Sequence, residues 1–244
     1  MKLIKFPLSD SSGTVAAPDS IIRQLTGMGL NESGMAPMID IDPLPMETEQ
    51  ALSEAIKTIS QDSRVCILGG EHKLTYTAFR SFARKNPDAG LLILSARTGC
   101  KTDGFLRRLV NDGIVDKSKV ILFGIRSWTG SEREFLNAYN IKHFTMKQIM
   151  LTGMVDAIDG LTETISAWSS VYLSIDMSIA DPSCAPGIEL NSPGGLTSRE
   201  LIYLIQRLSL LKRLKMCDLV GLNPGSDMNS ATSRLAAKLI SELS

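Results

Sequence analysis

The sequence predicts an α/β fold in which helices cover both faces of a parallel sheet. Short apolar runs alternate with amphipathic stretches along all 244 residues. Apolar runs this short, bounded by Gly, Pro or polar residues, are typical of strands that are buried on both faces. Regular alternation of such strands with helices is typical of a parallel sheet. No repeat, low-complexity tract or long linker divides the chain, so we expect one domain over residues 1–244.

Five apolar runs predict the central strands, at residues 65–68, 91–94, 120–125, 171–175 and 217–220. A further, outer strand is expected at 141–144, and we assign no chemistry to the His143 that it carries. Apolar residues at helical spacing predict helices at 51–59, 201–208 and 231–243. Thr197 and Glu200 have the spacing of a capping box, which would start the second of these helices.

Composition and charge exclude several classes of protein. Hydrophobic residues make up 43% of the chain and charged residues 21%, which is typical of a globular protein. The 26 Lys and Arg balance the 26 Asp and Glu, which argues against nucleic acid or a membrane surface as a partner. No apolar run is long enough to span a membrane, and residues 1–13 lack the apolar core of a signal peptide. The four cysteines form no C-x-x-C pair, so we expect a reduced, cytoplasmic chain.

The ends of the predicted strands nominate a cleft. In open parallel sheets, ligands bind beyond the carboxyl ends of the strands. The residues that follow four of the predicted strands are Glu71, His72 and Lys73, then Ser95, Arg97 and Thr98, then Asp176 and Ser178, and finally Gly221 and Asn223. The chain has only two histidines, so any manganese- or zinc-type site here must be poor in imidazole.

Motifs at these strand ends resemble those of the ureohydrolase family, which comprises arginases, agmatinases and formimidoylglutamases. Residues 68–72 (LGGEH) are similar to the family's first signature, L-G-G-[DE]-H. Residues 174–182 (SIDMSIADP) resemble its third signature, S-x-D-x-D-x-x-D-P, which continues in A-P-G at 185–187 and G-G-L-T-S-R-E at 194–200. Weaker matches lie at 13–23, 124–126 and 218–224. The matches follow the family's order and cover nearly the whole chain.

The resemblance implies a fold, a cofactor and an assembly. The fold would be a three-layer arginase-like one with a mainly eight-stranded parallel sheet. The site at the strand ends would hold two manganese ions, whose bridging hydroxide attacks a guanidinium carbon and releases urea. Metal coordination lowers the pKa of water, so that hydroxide exists near neutral pH. The resemblance also implies trimers or hexamers.

The metal ligands that the resemblance implies are mostly replaced in this sequence. The family uses two His and four Asp side chains, and only His72 and Asp176 match them. The other four positions carry Ser95, Arg97, Gly99 and Ser178. Asp181 matches a neighbouring family Asp that is not a principal ligand, and Gly221 replaces a Glu that helps to hold the substrate guanidinium. The loop at 100–104 is short and lacks the family's proton-transferring His.

Arg97 changes the charge of the predicted site. At about 4 Å and an effective dielectric constant of about 20, the repulsion between an arginine and a divalent cation is on the order of 8 kcal/mol. We therefore expect Arg97 to form a forked salt bridge with Asp176 in the place of a metal. The sequence then predicts a degenerate metal site with no cofactor and little or no guanidine hydrolysis. The cleft would bind a small molecule, such as a guanidino compound, or the chain would be a non-catalytic subunit that assembles with itself or with an active paralogue.

Two alternatives remain open, and the sequence nominates no catalytic residue. In the first, the chain is a manganese-dependent hydrolase of a guanidino or amidino C–N bond. Its rebuilt site would be anchored by His72 and Asp176 and completed by Glu71, Asp103 or Asp181. In the second, the chain is a scaffold without a ligand.

Several of these residues have simpler interpretations. His72 would serve the core, Asp176 would accept backbone N–H groups, and Lys73 would be solvated. Two acids of the loops, Asp103 and Glu189, would likewise be solvated, although both could supply oxygen ligands. The thiol of Cys100 is expected to be inert, with an activated nucleophile as the alternative. Asp181–Pro182 and Gly194–Gly195 would form turns in the wall of the cleft.

Overall fold

Eight parallel strands form one sheet at the centre of the computed structural model, which describes residues 1–7, 13–42, 45–59, 63–189 and 191–244. The strands are β1 (Lys2–Phe6), β2 (Asp40–Ile41), β3 (Val65–Gly69), β4 (Ala89–Leu94), β5 (Val120–Ile125), β6 (Lys142–Thr145), β7 (Ser170–Asp176) and β8 (Leu214–Val220). Their order across the sheet is β2-β1-β3-β8-β7-β4-β5-β6. The predicted α/β class and the eight-stranded parallel sheet are both confirmed.

Nine helices lie in the described part of the chain: α1 (Ala17–Leu25), α2 (Glu49–Thr58), α3 (Lys73–Lys85), α4 (Phe105–Asn111), α5 (Gly130–Ala138), α6 (Met146–Thr152), α7 (Met154–Ser166), α8 (Ser198–Ser209) and α9 (Ala231–Leu243). The predicted capping box is present at α8, where the Thr197 hydroxyl accepts from the backbone N–H of Glu200 and the Glu200 carboxylate accepts from Thr197. No helix in the described ranges is both long and apolar enough to cross a membrane.

Side chains from alternate positions of the strands build a separate core on each face of the sheet. In β3, Cys66 and Leu68 pack with α1, α7, α8 and α9, whereas Val65 and Ile67 pack with α2, α3, α4 and α5. This alternation with a period of two gives the three-layer arrangement that the sequence predicts. All residues of β3, β4, β5 and β7 are buried, which explains why these strands are visible in the sequence as mainly apolar segments.

The two strands β1 and β2 are not predicted by the apolar pattern. In β1, Lys2 and Lys5 interrupt the apolar run, and both are only partly buried. In β2 there are only two residues, and they pair with Lys2 and Leu3. Both strands lie on one side of the sheet, away from β8, β7 and β4, whose carboxyl ends meet near its middle.

Candidate functional site

A cavity of about 520 Å³ opens at the carboxyl ends of the central strands. Eight of the ten predicted site residues line it: Glu71, His72, Lys73, Arg97, Asp103, Asp176, Ser178 and Gly221. A larger, more open depression of about 840 Å³ lies at the opposite edge of the sheet, lined by Met1, Asp40 and Arg64 among others. The smaller cavity is the candidate site because ligands of open parallel sheets bind at the carboxyl edge.

Asp176, the last residue of β7, is the centre of a closed set of hydrogen bonds. Its side chain is buried, and its Oδ1 accepts the backbone N–H of Ser178 at 2.8 Å. Its Oδ2 accepts from the Ser95 hydroxyl at 2.9 Å and from Nε2 of His72 at 3.2 Å. Burial raises the pKa of Asp176, but the hydrogen bonds from His72 and Ser178 outweigh this effect and hold the pKa below its ordinary value. The predicted role in accepting backbone N–H groups is therefore confirmed.

Two serines at the strand ends, Ser95 and Ser178, bond to this aspartate and lie within reach of each other. The hydroxyl oxygens of Ser95 and Ser178 lie 3.4 Å apart. The Ser178 hydroxyl also accepts the backbone N–H of Ala96 at 3.2 Å, and the Ser95 hydroxyl accepts that of Arg97 at 3.0 Å. Ser95 lies beneath the cavity and does not line it, because its side chain turns towards Asp176. The prediction of Ser95 as a residue of the cavity surface is thus wrong.

His72 is held on three sides at the start of α3. Its Nε2 bonds to Asp176, and its Nδ1 lies 3.0 Å from the hydroxyl oxygen of Thr75. The ring also stacks on Phe105, with centroids 4.3 Å apart and planes 14° apart. With Nε2 protonated, Nδ1 accepts from Thr75, so both ring nitrogens are engaged. His72 therefore combines the predicted core role with a place in the cavity wall.

Arg97 does not pair with Asp176, so the predicted salt bridge is wrong. The three donors already on Asp176 occupy both of its oxygens. The backbone of Arg97 is fixed by its bond to Ser95 and by a β-bridge to Ser127. Its half-buried side chain lines the cavity. Within the described residues, that guanidinium has no hydrogen bond or ion pair.

Asp181 forms a turn and does not line the cavity, so its prediction as a cleft residue is wrong. Its carboxylate accepts backbone N–H groups from Ser183 at 3.0 Å, Gly194 at 2.7 Å and Gly195 at 3.0 Å. The bonds from Ser183 and the two glycines lower the pKa of Asp181 to about 2. Arg126 braces the same wall by donating to the carbonyl oxygen of Ser178 at 2.7 Å and to other carbonyls nearby. The predicted turn elements are confirmed.

Gly99 and Gly221, at two positions where the resemblance implies acidic side chains, have positive φ angles and closely packed neighbours. Gly99 has φ +67°, and a Cβ atom there would overlap Cε1 of Phe105 and lie 3.0 Å from Cδ1. Gly221 has φ +83°, and its Cβ would overlap Oδ1 of Asp176 and lie 3.3 Å from Cγ. Residues other than glycine rarely adopt such positive φ angles. An acidic side chain at either position would require the local structure to change.

A buried carboxylate that the sequence motifs do not nominate, Glu132, also lines the cavity. Its Oε1 accepts from the Thr98 hydroxyl at 2.7 Å, and its Oε2 accepts from the backbone N–H of Thr129 at 2.7 Å. Burial raises the pKa of Glu132, but these hydrogen bonds outweigh it and lower the pKa. The signal that could have found it is the capping-box spacing of Thr129 and Glu132, which starts α5.

A second group absent from the predicted site extends the hydrogen bonds from the cavity into the sheet. The Thr75 and Ser174 hydroxyl oxygens lie 3.3 Å apart, and Ser174 donates to Oδ1 of Asp218 at 2.7 Å. Oδ2 of Asp218 accepts from the Tyr172 hydroxyl at 2.6 Å. Burial raises the pKa of Asp218. This row of buried polar groups joins His72 to the middle of β7 and β8.

The other predicted residues lie either in the cavity wall or beneath it. Glu71, Lys73, Asp103 and Glu189 all line the cavity, and the last two and Lys101 are exposed at its rim. Cys100 is buried beneath it, and burial raises the pKa of its thiol to about 12. A thiol with that pKa stays protonated near neutral pH, which agrees with the inert interpretation.

The side chains present do not fit two manganese ions. Among the residues that the structure describes, no three or more His, Cys, Asp or Glu side chains are grouped so as to hold a metal ion. His72 and Asp176 bond to each other, and the adjacent positions supply neutral hydroxyls. Divalent manganese prefers carboxylate and other oxygen ligands, and the hydrogen-bonded set around His72 contains one carboxylate, Asp176.

Comparisons with known proteins agree with the fold. The model of the arginase family matches residues 4–244. The chain is 25% identical over 203 residues to the formimidoylglutamase of Halalkalibacterium halodurans, an alignment that covers 79% of this chain but only 63% of that protein. It is also 25% identical over 218 residues to the arginase of Staphylococcus aureus, covering 80% of this chain and 72% of the relative.

The crystal structure of formimidoylglutamase from Bacillus subtilis superposes with a TM-score of 0.91 at 22% identity, covering 99% of this chain and 85% of that one. At this identity the superposition shows the shared fold alone. The family model's match over almost the full length, together with the strand-end motifs, leads to one conclusion: the chain belongs to the arginase family.

Proposed function

We propose that this chain is an arginase-family protein without two-manganese chemistry, which keeps the cavity as a site for a small molecule. The observation that carries the proposal is the closed set of hydrogen bonds among His72, Asp176, Ser95 and Ser178. The donors and acceptors that would have to turn towards a metal already satisfy each other. The protein would then act by binding, either alone or as a non-catalytic subunit.

Charge supports this proposal. Two divalent ions bring four positive charges, and carboxylates normally balance them. The closed set contains a single carboxylate, Asp176, and Arg97 adds a further positive charge to the same cavity. Removing Asp176 from its three hydrogen bonds would cost about 1–3 kcal/mol for each buried partner left unsatisfied. A metal would have to overcome this cost with few ligands in return.

The backbone conformation and packing at Gly99 and Gly221 support the proposed absence of two-manganese chemistry independently of charge. The resemblance implies an acid at each position, but each glycine has a positive φ angle, and a Cβ atom there would overlap a neighbouring side chain, Phe105 or Asp176. The replacement therefore extends to the shape of the loops after β4 and β8.

The rival function is a metal-dependent hydrolase of an amidine or guanidine C–N bond with a rebuilt site. It is favoured by the acids Glu71, Asp103 and Glu189, which line the same cavity as His72 and Asp176. Asp181 is not available to this site, because the turn at 194–195 takes its carboxylate. Manganese would be its cofactor.

The deciding experiment is the metal content of the purified protein after saturation with Mn²⁺ and removal of the excess. We expect far less than one ion per chain and no chelator-sensitive hydrolysis of arginine, agmatine or formimidoylglutamate. One or two tightly held ions would overturn the proposal and establish the rival. As a matched control, the triple variant S95D/R97H/S178D returns ligands at three positions, and we expect it to retain more manganese than the native chain.

We also propose that the chain associates with itself, as a trimer or hexamer, or with an active paralogue in the cytoplasm. Support comes from three exposed apolar side chains on neighbouring turns of α6 and α7: Met150, Leu151 and Val155 are 70%, 79% and 53% exposed. Exposed apolar patches of this kind commonly mark interfaces. Sedimentation velocity would test it, and a concentration-independent monomer, with no paralogue in pull-down, would refute it.

A further inference from the structure

Arg97 has a different environment from the other arginines near the cavity. Arg108 lies over the ring of Tyr76, with its Cζ 4.0 Å from the centroid, and Arg126 donates to several carbonyl oxygens. Arg97 is half-buried and lines the cavity, and within the described chain its guanidinium has no partner. A partly desolvated guanidinium without a partner is costly, and it is a strong donor for any anion that enters.

The acids on the cavity floor are less open to a cation than Arg97 is to an anion. Both oxygens of Asp176 and both oxygens of Glu132 accept hydrogen bonds from the protein. A guanidinium or ammonium group arriving there would have to share oxygens that already accept from the protein. The cavity therefore contains one guanidinium without a hydrogen-bond partner among the described residues, that of Arg97, and two carboxylates that already accept hydrogen bonds from the protein.

The start of α3 adds to the preference for an anion. This helix of 13 residues begins at Lys73 on the cavity edge, and its N-cap residue, His72, makes no side-chain capping bond. The N-terminus of a helix carries a partial positive charge that stabilises anions. Arg97 and the start of α3 border the same space.

From this arrangement we propose that the cavity binds a small carboxylate, held by the guanidinium of Arg97. The planar fork of arginine matches a carboxylate with two parallel hydrogen bonds. A phosphate would also match, but Glu71, Asp103 and Glu189 line the same cavity and disfavour a dianion. The same acids suit the cationic end of a zwitterion, so an amino acid-like ligand fits best. This inference deepens the proposed metal-free binding function and rests on it.

The test uses chelator-treated protein and four simple probes at constant ionic strength: butyrate, γ-aminobutyrate, butylamine and inorganic phosphate. Isothermal titration should show binding of the two carboxylates, with γ-aminobutyrate the tighter, and no binding of butylamine. The variant R97M should weaken γ-aminobutyrate binding at least tenfold, as expected for the loss of a charged hydrogen-bonded pair. R97K keeps the positive charge but lacks the two parallel N–H donors of the guanidinium, so its affinity for γ-aminobutyrate should lie between those of the native chain and R97M.

The matched control is R108M, which removes a cavity arginine whose guanidinium already lies on Tyr76. We expect it to bind γ-aminobutyrate within about twofold of the native chain, a change near the resolution of such measurements. R97M without ligand should unfold at a temperature no lower than the native chain does, because it loses no partner of Arg97 among the described residues.

Several outcomes would overturn the inference. These are binding of butylamine in preference to the carboxylates, binding of phosphate alone, unchanged affinity in R97M, or no binding of any probe. Metal content measured on the same preparation separates this failure from that of the proposed function. A metal-free protein that ignores carboxylates refutes only the present inference, whereas tight manganese binding refutes the proposed function itself.

Discussion

Replacing Gly221 by alanine should destabilise the protein more than an ordinary substitution at a glycine with positive φ. The residue has φ +83°, and its new Cβ would overlap Oδ1 of Asp176. A left-handed conformation costs a residue other than glycine about 1–2 kcal/mol. Relief of the overlap would displace Asp176 and break one of its buried hydrogen bonds, at a cost of about 1–3 kcal/mol. We expect a total loss of roughly 2–5 kcal/mol of unfolding free energy.

The assay is urea and thermal unfolding followed by circular dichroism. For a chain of this size each kcal/mol lowers the midpoint by about 2–4 °C, so G221A should melt roughly 4–20 °C below the native protein. The control is G113A, where φ is +64° and a Cβ would meet no atom within 4 Å. G113A should therefore lose only the free energy that a left-handed backbone conformation costs alanine, about 1–2 kcal/mol, because its Cβ overlaps no other atom.

A double-mutant cycle isolates the contact between the two residues. In a D176A background the overlapped oxygen is absent, so the G221A substitution should cost about 1–3 kcal/mol less than in the native chain. Equal losses of unfolding free energy for G221A and G113A, within about 0.5 kcal/mol, would refute the reasoning. They would mean that the Asp176 carboxylate is not held against the backbone at 221, and the closed set of hydrogen bonds would lose its support.

Three further predictions concern other groups. Burial raises the pKa of the Cys100 thiol to about 12, so the folded protein should resist alkylation of Cys100 by iodoacetamide at pH 8. The thiol should react only after denaturation, and rapid labelling of the native protein would contradict its burial. The Asp181 pKa is lowered to about 2, so its stabilisation is complete above the unfolded pKa of about 4 and is lost as the pH falls through about 2. The native chain should therefore exceed D181N in urea midpoint at pH 6, with the gap closing towards pH 2, and a constant gap would refute the assignment. Y172F removes the hydroxyl that donates to buried Asp218 and should cost about 1–3 kcal/mol in urea unfolding, whereas an unchanged midpoint would show that this bond is not formed.

The sheet was accessible from sequence because its central strands are buried on both faces. Strands such as β4 and β5, of six residues each, then consist almost entirely of apolar residues and are too short for buried helices. The short edge strand β2, with two residues, carries no such pattern and depends on its pairing with β1. The capping box at α8 was found because both of its members lie within four residues of each other.

The sequence predicts which residues lie at the site, but not which of them form hydrogen bonds or ion pairs with one another. The strand-end rule brought His72, Asp176 and Arg97 to one cavity, since it depends only on topology. The partners of Asp176 depend on which donors reach it, and both of its oxygens accept from serine and histidine groups, with no bond from Arg97. The prediction that Asp181 lies in the cleft is wrong for a similar reason. Its carboxylate accepts from the N–H groups of two glycines that are 13 and 14 residues further along the chain, and the sequence pattern does not reveal this contact.

The positive φ angles at Gly99 and Gly221 also bear on the evolutionary history of the protein. Loss of an acidic side chain is reversible by single codon changes only while the backbone still accepts its return. Where a loop has a conformation that only glycine adopts without strain, each single substitution by an acidic residue lowers stability before it can supply a ligand. If the proposed function is correct, a two-metal site could therefore be built here only by coordinated changes at several positions, because no single acidic substitution at these glycines avoids the strain.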